Sequence, residues 1–429
     1  MKTRFAATLG LSLTVIAPLL SLFFIFHARP LPSFGDYVEW TYHGVLLRDL
    51  LSGHPQPAYL LKHYPVPNSL TTVGLGILML VLPWKLAAKV WLVCEIVLGI
   101  LSAFALQRAA RSEASWHLPV FISAVVLGLN FWAGFTNFMF GLYFAMLLCS
   151  LLLKESESRW KYGLLLTLAF FSHLIPCAFA TLALFLYAVD RRRLRLLWQI
   201  WPVLLLTAGY FVGKLLHGNV DAHAGMVASV SARSPAFVAF KINTFLKGWG
   251  FINPALGPSD SVLLKLAGSK IFILLFAANA VVALAMFLLL SNRGTNSLKT
   301  HDQQRFLWHA IIIFFGCALL MPGAAAGISD PGARMMQIAV WPGILLLTTR
   351  SRWASSAILF CAALLLAANV SLIALVANHP PQGGLQSGLQ PHIREFAHVY
   401  YADRWGFCDV VDRGVMNRNI YPTAIFLKR

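Results

Sequence analysis

Residues 162–188 read YGLLLTLAFFSHLIPCAFATLALFLYA, and how this stretch is folded decides how the whole chain is laid out. As a single helix it would be about 40 Å long at about 1.5 Å per residue, more than a bilayer needs. Near its centre stand His173-Leu174-Ile175-Pro176. Proline inside a helix removes a backbone hydrogen bond and clashes with the preceding turn. The alternative is therefore two short helices joined at 173–176, each arm of about a dozen residues and short for a span. A second ambiguous segment, 69–84, is apolar but brief and ends in Pro83-Trp84-Lys85.

Positive charge separates the two layouts, because Lys and Arg collect on the cytoplasmic side of a membrane. If 69–84 spans and 162–188 is one helix, Arg108/Arg111 and Lys154/Arg159/Lys161 fall outside. If 69–84 lies at the outer interface and 162–188 is a hairpin, the inner loops carry sixteen of the 34 Lys and Arg. These are Lys2/Arg4, Arg108/Arg111, Lys154/Arg159/Lys161, Arg191/Arg192/Arg193/Arg195, Arg293/Lys299/Arg305 and Arg350/Arg352. The outer turns at 134–137 and 174–176 then carry no Lys or Arg. The second layout is the expectation. It predicts an all-α polytopic membrane protein of about eleven transmembrane helices, N-terminus inside and C-terminus outside. The remaining spans fall at 5–26, 90–107, 117–134, 138–153, 197–217, 270–290, 307–325, 336–349 and 354–377.

Composition agrees. Of 429 residues, 58% are hydrophobic and 12% charged, with a mean hydropathy of +0.70. Soluble domains are about 45–50% apolar and about 25% charged, so this chain cannot cover a water-facing surface. A soluble enzyme, a disordered chain and a disulfide scaffold are excluded. The formal charge of +18 reads as basic loops against anionic lipid, not as a nucleic-acid surface. The first apolar run is too long for a signal peptide and is followed by His27-Ala28-Arg29-Pro30, so it reads as a retained span. Six scattered cysteines form no CxxC pair or metal spacing.

The long polar segments 27–89, 218–265, 322–335 and 378–429 all fall on the outer face in this layout. The chain divides into a transmembrane domain, 1–377, and a small outer-face tail or cap, 378–429. In the first outer loop, Val38, Tyr42, Val45, Leu46 and Leu50 recur at helical spacing, predicting an amphipathic helix along the surface with Gly53 just past its end. Asp36 at its start reads either as an N-cap or as a general base, and Glu39 lies on the same face. His63 and Tyr64, in His63-Tyr64-Pro65-Val66-Pro67, read either as interface anchors or as the lining of a headgroup pocket. Arg334, before a late span, presents a donor fork that matches a phosphate, or it snorkels or pairs locally with Asp330. His173 bonds a phosphate or satisfies the broken backbone. Glu95 is an intramembrane carboxylate, which is functional by default, and Asn137 is the polar side chain of the second outer turn. No P-loop, GxGxxG, HExxH or GxSxG motif is present.

This layout resembles the GT-C superfamily of integral-membrane glycosyltransferases, which includes protein O-mannosyltransferases and the lipid A aminoarabinose transferase. The resemblance covers roughly residues 1–350. It rests on Asp36 just past the first span, a following helix, Tyr64-Pro65-Val66-Pro67, an interfacial helix, His173 at a hairpin tip, and Arg334 followed by Pro342. The chain departs from the pattern at two places: Asn137 stands where many members carry a second acid, and Asp36-Tyr37 replaces a paired acid. The resemblance implies sugar transfer from a polyprenyl-phosphate donor to a lipid, glycan or protein acceptor on the periplasmic face of a bacterial inner membrane. Asp36, with Glu39, would deprotonate the acceptor. Arg334, His173 and Tyr64 would hold the donor phosphate, with His63, Glu95 and Asn137 as further candidates. No cofactor is specified, and a divalent metal stays open. Two other readings remain: a transporter or flippase for a lipid-linked or anionic solute, and an O-antigen ligase or polymerase.

Overall fold

A computed structural model describes residues 2–27, 37–54, 59–110, 117–132, 134–217, 236–248, 290–291, 301–322, 324–325, 328–329, 331–346, 348–349, 352–378 and 425–427. The expected span 270–290 except Leu290, the tail except Asn378 and Ile425–Leu427, and Asp36 lie outside the described residues. In chain order the helices are α1 (Lys2–His27), α2 (Tyr37–Leu51), α3 (Leu70–Val81), α4 (Trp84–Ala110), α5 (His117–Phe121), α6 (Leu129–Trp132) and α7 (Thr136–Leu153). They continue as α8 (Arg159–Ser172), α9 (Leu174–Asp190), α10 (Trp201–His217), α11 (Ala236–Gly248), α12 (His301–Leu320), α13 (Pro331–Leu346) and α14 (Arg352–Asn378). The extended segments are β1 (Tyr59–Leu61), β2 (Leu290–Ser291), β3 (Ala324–Ala325), β4 (Ile328–Ser329), β5 (Thr348–Thr349) and β6 (Ile425–Leu427), paired β1–β6, β2–β5 and β3–β4. The framework is thus helical, and strands only staple loops together.

Among the described residues four helical segments are long and apolar enough to cross a membrane: Trp84–Ala110, Thr136–Leu153, Leu194–Leu216 and Trp353–Ser371. Apolar side chains face outward on several of these and on α12. Leu205, Phe211, Leu215 and Leu216 on α10, Ile312 and Leu320 on α12, and Phe360 and Leu364 on α14 are all exposed. Contiguous apolar surface of this kind suits lipid and not water, and the helices are compatible with a membrane protein.

The stretch 162–188 breaks where the polar residues fall. His173 is extended (φ −167°, ψ 137°), ending α8 and capping α9. The arms fold back on one another. Glu155, ahead of α8, pairs with Arg193, beyond α9, at 3.1 Å, and the Cys177 thiol lies 3.8 Å from the Leu166 carbonyl oxygen. The far ends of the two helices therefore meet at one end of the bundle, and His173 marks the other. The end of α1 and the start of α4 also share an end, since Lys89 Nζ donates to the Phe26 carbonyl at 2.8 Å. Helix α3, between them, has 12 residues, about 18 Å, too short to cross a bilayer core of about 30 Å.

Two expectations are corrected. Helix α2 does not lie along a surface with one face wet: Tyr37, Trp40, Thr41, Tyr42, Val45, Leu46 and Leu47 are all buried. It is sandwiched because glycines let α3 approach; a Cβ on Gly44 would stand 2.7 Å from Leu75 Cβ. Its C-terminus follows the sequence reading. Gly53 is left-handed (φ +76°), and His54 N–H reaches the Asp49 carbonyl at 2.9 Å, a Schellman closure. The run 117–134 is also not one helix. It divides into α5, a π turn at Ile122–Val126 and α6. Asn369 of α14 donates to the Ser123 carbonyl in that turn at 2.8 Å, meeting a group that the wider turn frees.

Candidate anion-binding site

Helix α7 is the buried axis on which the site is built; Thr136–Met146 are all inside the protein. Its first turn faces three partners. On one side Asn137 holds the chain ahead of α3: its Nδ2 donates to the Asn68 carbonyl and its Oδ1 accepts from Thr71 N–H, each at 2.9 Å. Asn68 there has a left-handed backbone (φ 67°), which asparagine tolerates better than most residues. Ser69 N–H adds a bond to the Phe171 carbonyl at 2.8 Å. Asn137 is therefore committed to the backbone as a clamp.

On a second side Phe135 and Phe138 receive Arg334. The guanidinium carbon sits 4.2 Å from the Phe135 ring centroid and 5.7 Å from that of Phe138, within cation–π range. Arg334 lies inside α13, not in the preceding turn, and is 7% exposed, so it does not snorkel to a surface. His173 closes the cluster. Its ring packs edge-on to Phe138 at 5.4 Å, and its Nε2 stands 3.2 Å from Arg334 Nη1.

The protonation of His173 is over-determined. A neutral imidazole has one N–H and one lone pair. Ile175 N–H donates to Nδ1 at 3.2 Å, the side-chain cap of α9, which places the proton on Nε2. That N–H then faces an arginine N–H. Moving the proton to Nδ1 satisfies Arg334 but sets two donors against each other at the cap. In either tautomer one contact is donor against donor, and an oxygen anion accepting from both Nε2–H and the guanidinium removes the conflict. Of the two roles its sequence position suggested, His173 takes the one of satisfying the broken backbone through Nδ1, while its Nε2 faces Arg334.

Glu95 lies on a third side of the first turn of α7. It is 1% exposed, with neither carboxyl oxygen geometrically hydrogen-bonded among the described residues; the Thr136 side chain is close enough to interact with it. Tyr37 adjoins it, and burial together with the Glu95 carboxylate pushes the Tyr37 phenol well above its usual range. The Tyr37 hydroxyl donates to the Ala88 carbonyl at 2.5 Å.

The remaining candidates separate from this cluster. The Tyr64 ring packs at the α10 side, 6.5 Å from Tyr210 and against Gly213, where a Cβ would meet it at 2.3 Å. It is a packing group there, and His63 beside it is exposed. Asp36 falls outside the described residues, as does the Glu39 side chain, although Tyr37 fixes the start of α2 next to Glu95. No group of three His, Cys, Asp or Glu that would hold a metal occurs among the described residues. Sequence reasoning missed Phe135 and Phe138, which cradle Arg334, and Gln337, one turn beyond it. The i, i+3 spacing of Arg334 and Gln337 was the available signal.

No family model, curated protein or solved structure matches the chain.

Proposed function

We propose that this protein is a membrane glycosyltransferase that moves a sugar from a polyprenyl-phosphate donor to a lipid, glycan or protein acceptor on the outer, periplasmic face of a bacterial inner membrane. The observation that carries this reading is the Arg334–His173 pair. A guanidinium and an imidazole nitrogen are buried 3.2 Å apart against aromatic rings, and an oxygen anion accepting from both relieves the donor conflict that either tautomer of His173 otherwise leaves. What supports it is that His173, Arg334, the start of α7 and the start of α3 gather at one end of the bundle, which would be the outer end if the chain follows the expected eleven-span layout with the N-terminus inside.

In this reading Asp36 takes the proton of the acceptor hydroxyl as its oxygen attacks the anomeric carbon. The bond from that carbon to the phosphate oxygen breaks, the centre inverts, and polyprenyl phosphate leaves with its developing charge held by Arg334 and His173. Glu39 lies one turn from Asp36 as its support.

The test is transfer of labelled sugar from polyprenyl-phosphate hexoses in proteoliposomes. Arg334→Ala is expected to weaken apparent donor affinity about ten- to hundred-fold, the range of one or two lost charge-assisted bonds. Asp36→Asn is expected to abolish turnover with donor affinity kept. Wild-type turnover in Asp36→Asn removes the base assignment; unchanged donor affinity in Arg334→Ala removes the phosphate site. A carrier of lipid-linked or anionic solute is the second reading, favoured by the buried Glu95, whose carboxyl oxygens have no hydrogen bond among the described residues. Movement of intact donor between leaflets without sugar release would select it.

A further inference from the structure

Beyond Arg334, helix α13 carries a line of buried donors that the phosphate site does not use. Gln337 and Trp341 follow at three and seven residues, on the same helix face, so the line runs about 10 Å into the protein. Gln337 is 1% and Trp341 0% exposed. Neither Gln337 Nε2 nor Trp341 Nε1 has an acceptor among the described residues. Opposite them, Asn130 of α6 donates through Nδ2 to Gln337 Oε1, and Phe121 meets the Trp341 ring edge-on at 5.8 Å. The residues opposing Gln337 and Trp341 therefore come from α6 and α5, on either side of the π turn at Ile122–Val126.

We propose that Asn130, Gln337 and Trp341 form the subsite that reads the sugar hydroxyls of a glycosyl group whose phosphate is held by Arg334 and His173. The inference rests on the phosphate reading above. Buried amide and indole N–H groups without acceptors are costly unless something accepts from them. Arg334 is the one charged residue in α13, so the groups beyond it suit uncharged oxygens and not a second phosphate. A lipid tail brings no acceptor at all. Sugar hydroxyls both donate and accept, which matches a paired Asn and Gln, while the Trp341 and Phe121 rings suit the apolar faces of a pyranose.

The experiment uses the full chain in nanodiscs and measures binding of undecaprenyl phosphate and of undecaprenyl phosphates carrying glucose, mannose, arabinose or N-acetylglucosamine. At least one glycosylated form is expected to bind about ten-fold tighter than the bare lipid phosphate, the worth of two neutral hydrogen bonds. Gln337→Met and Trp341→Phe are each expected to remove much of that increment while leaving bare undecaprenyl phosphate binding unchanged. Trp341→Phe deletes only the indole N–H and keeps a ring against Phe121, so it guards against a folding artefact in Gln337→Met. An increment that survives in both variants, or no increment for any glycosylated form, overturns the subsite and leaves the phosphate reading standing. Failure to bind even bare undecaprenyl phosphate, or binding unaffected by Arg334→Ala, overturns the phosphate reading and this inference with it.

Discussion

Asn137 in the first turn of α7 bonds both its amide groups to the backbone leading into α3, to the Asn68 carbonyl and the Thr71 N–H, each at 2.9 Å. It replaces the missing regular structure around a left-handed residue, and all three residues are buried. Asn137→Leu leaves a buried carbonyl and a buried N–H without these partners, which costs about 2–4 kcal/mol. Denaturant unfolding in detergent should show this loss. Asn137→Asp keeps the acceptor for Thr71 and should lose less than Asn137→Leu; equal loss would mean that size, not hydrogen bonding, matters there.

His43 gives the α2–α3 region a pH dependence. Burial, with Lys62 nearby, holds its imidazole at about 4 instead of the ordinary 6.5. Between these values the unfolded chain binds a proton that the folded chain refuses, so stability rises with pH across this window. The His43 contribution is intact above about 6.5, erodes as pH falls, and is fully lost below about 4. Thermal unfolding from pH 7.5 to 4 should therefore fall more steeply in the wild type than in His43→Gln. Parallel curves would show that the group does not couple to folding.

Close packing between α4 and α7 rests on Gly99. A Cβ there would lie 2.7 Å from Tyr143 Cζ and 2.9 Å from Val126 Cγ2. Gly99→Ala should destabilise by about 1–3 kcal/mol, the usual penalty of overpacking. Gly316 in α12 has nothing within 4 Å of such a Cβ, and Gly316→Ala should be neutral or stabilising by up to about 1 kcal/mol. Equal thermal shifts in the two variants would contradict this account of the α4–α7 interface.

The break at His173 and the return of α9 were legible because charge distribution carries global information: Lys154, Arg159 and Arg193 name a side of the membrane wherever they stand. Arg334 was legible as an isolated cation beside small residues. What local sequence could not reveal depends on partners far along the chain. The π turn at Ile122–Val126 looks like any apolar helix until Asn369, 246 positions away, takes the Ser123 carbonyl. Asn130 and Gln337 are ordinary amides until the fold sets them together. The burial of α2 against α3 followed from Gly44 facing Leu75 and Gly76 facing Leu47, whereas the pattern of apolar residues suggested one wet face.

The pairing of Glu155 with Arg193 makes the layout testable without any substrate. Both lie at the end of the bundle opposite His173, so single cysteines at Ser156 and Arg192, in a cysteine-free background, should react with a membrane-impermeant thiol reagent from the same side. A cysteine at the exposed His63 should react from the other side, because its segment leads into α3, whose start is held by Asn137 and Phe171 at the His173 end. Labelling of all three positions from one side would break the eleven-span layout. It would also remove the argument that the Arg334–His173 pair sits at the periplasmic end of the bundle, where a lipid-linked donor and its acceptor could meet.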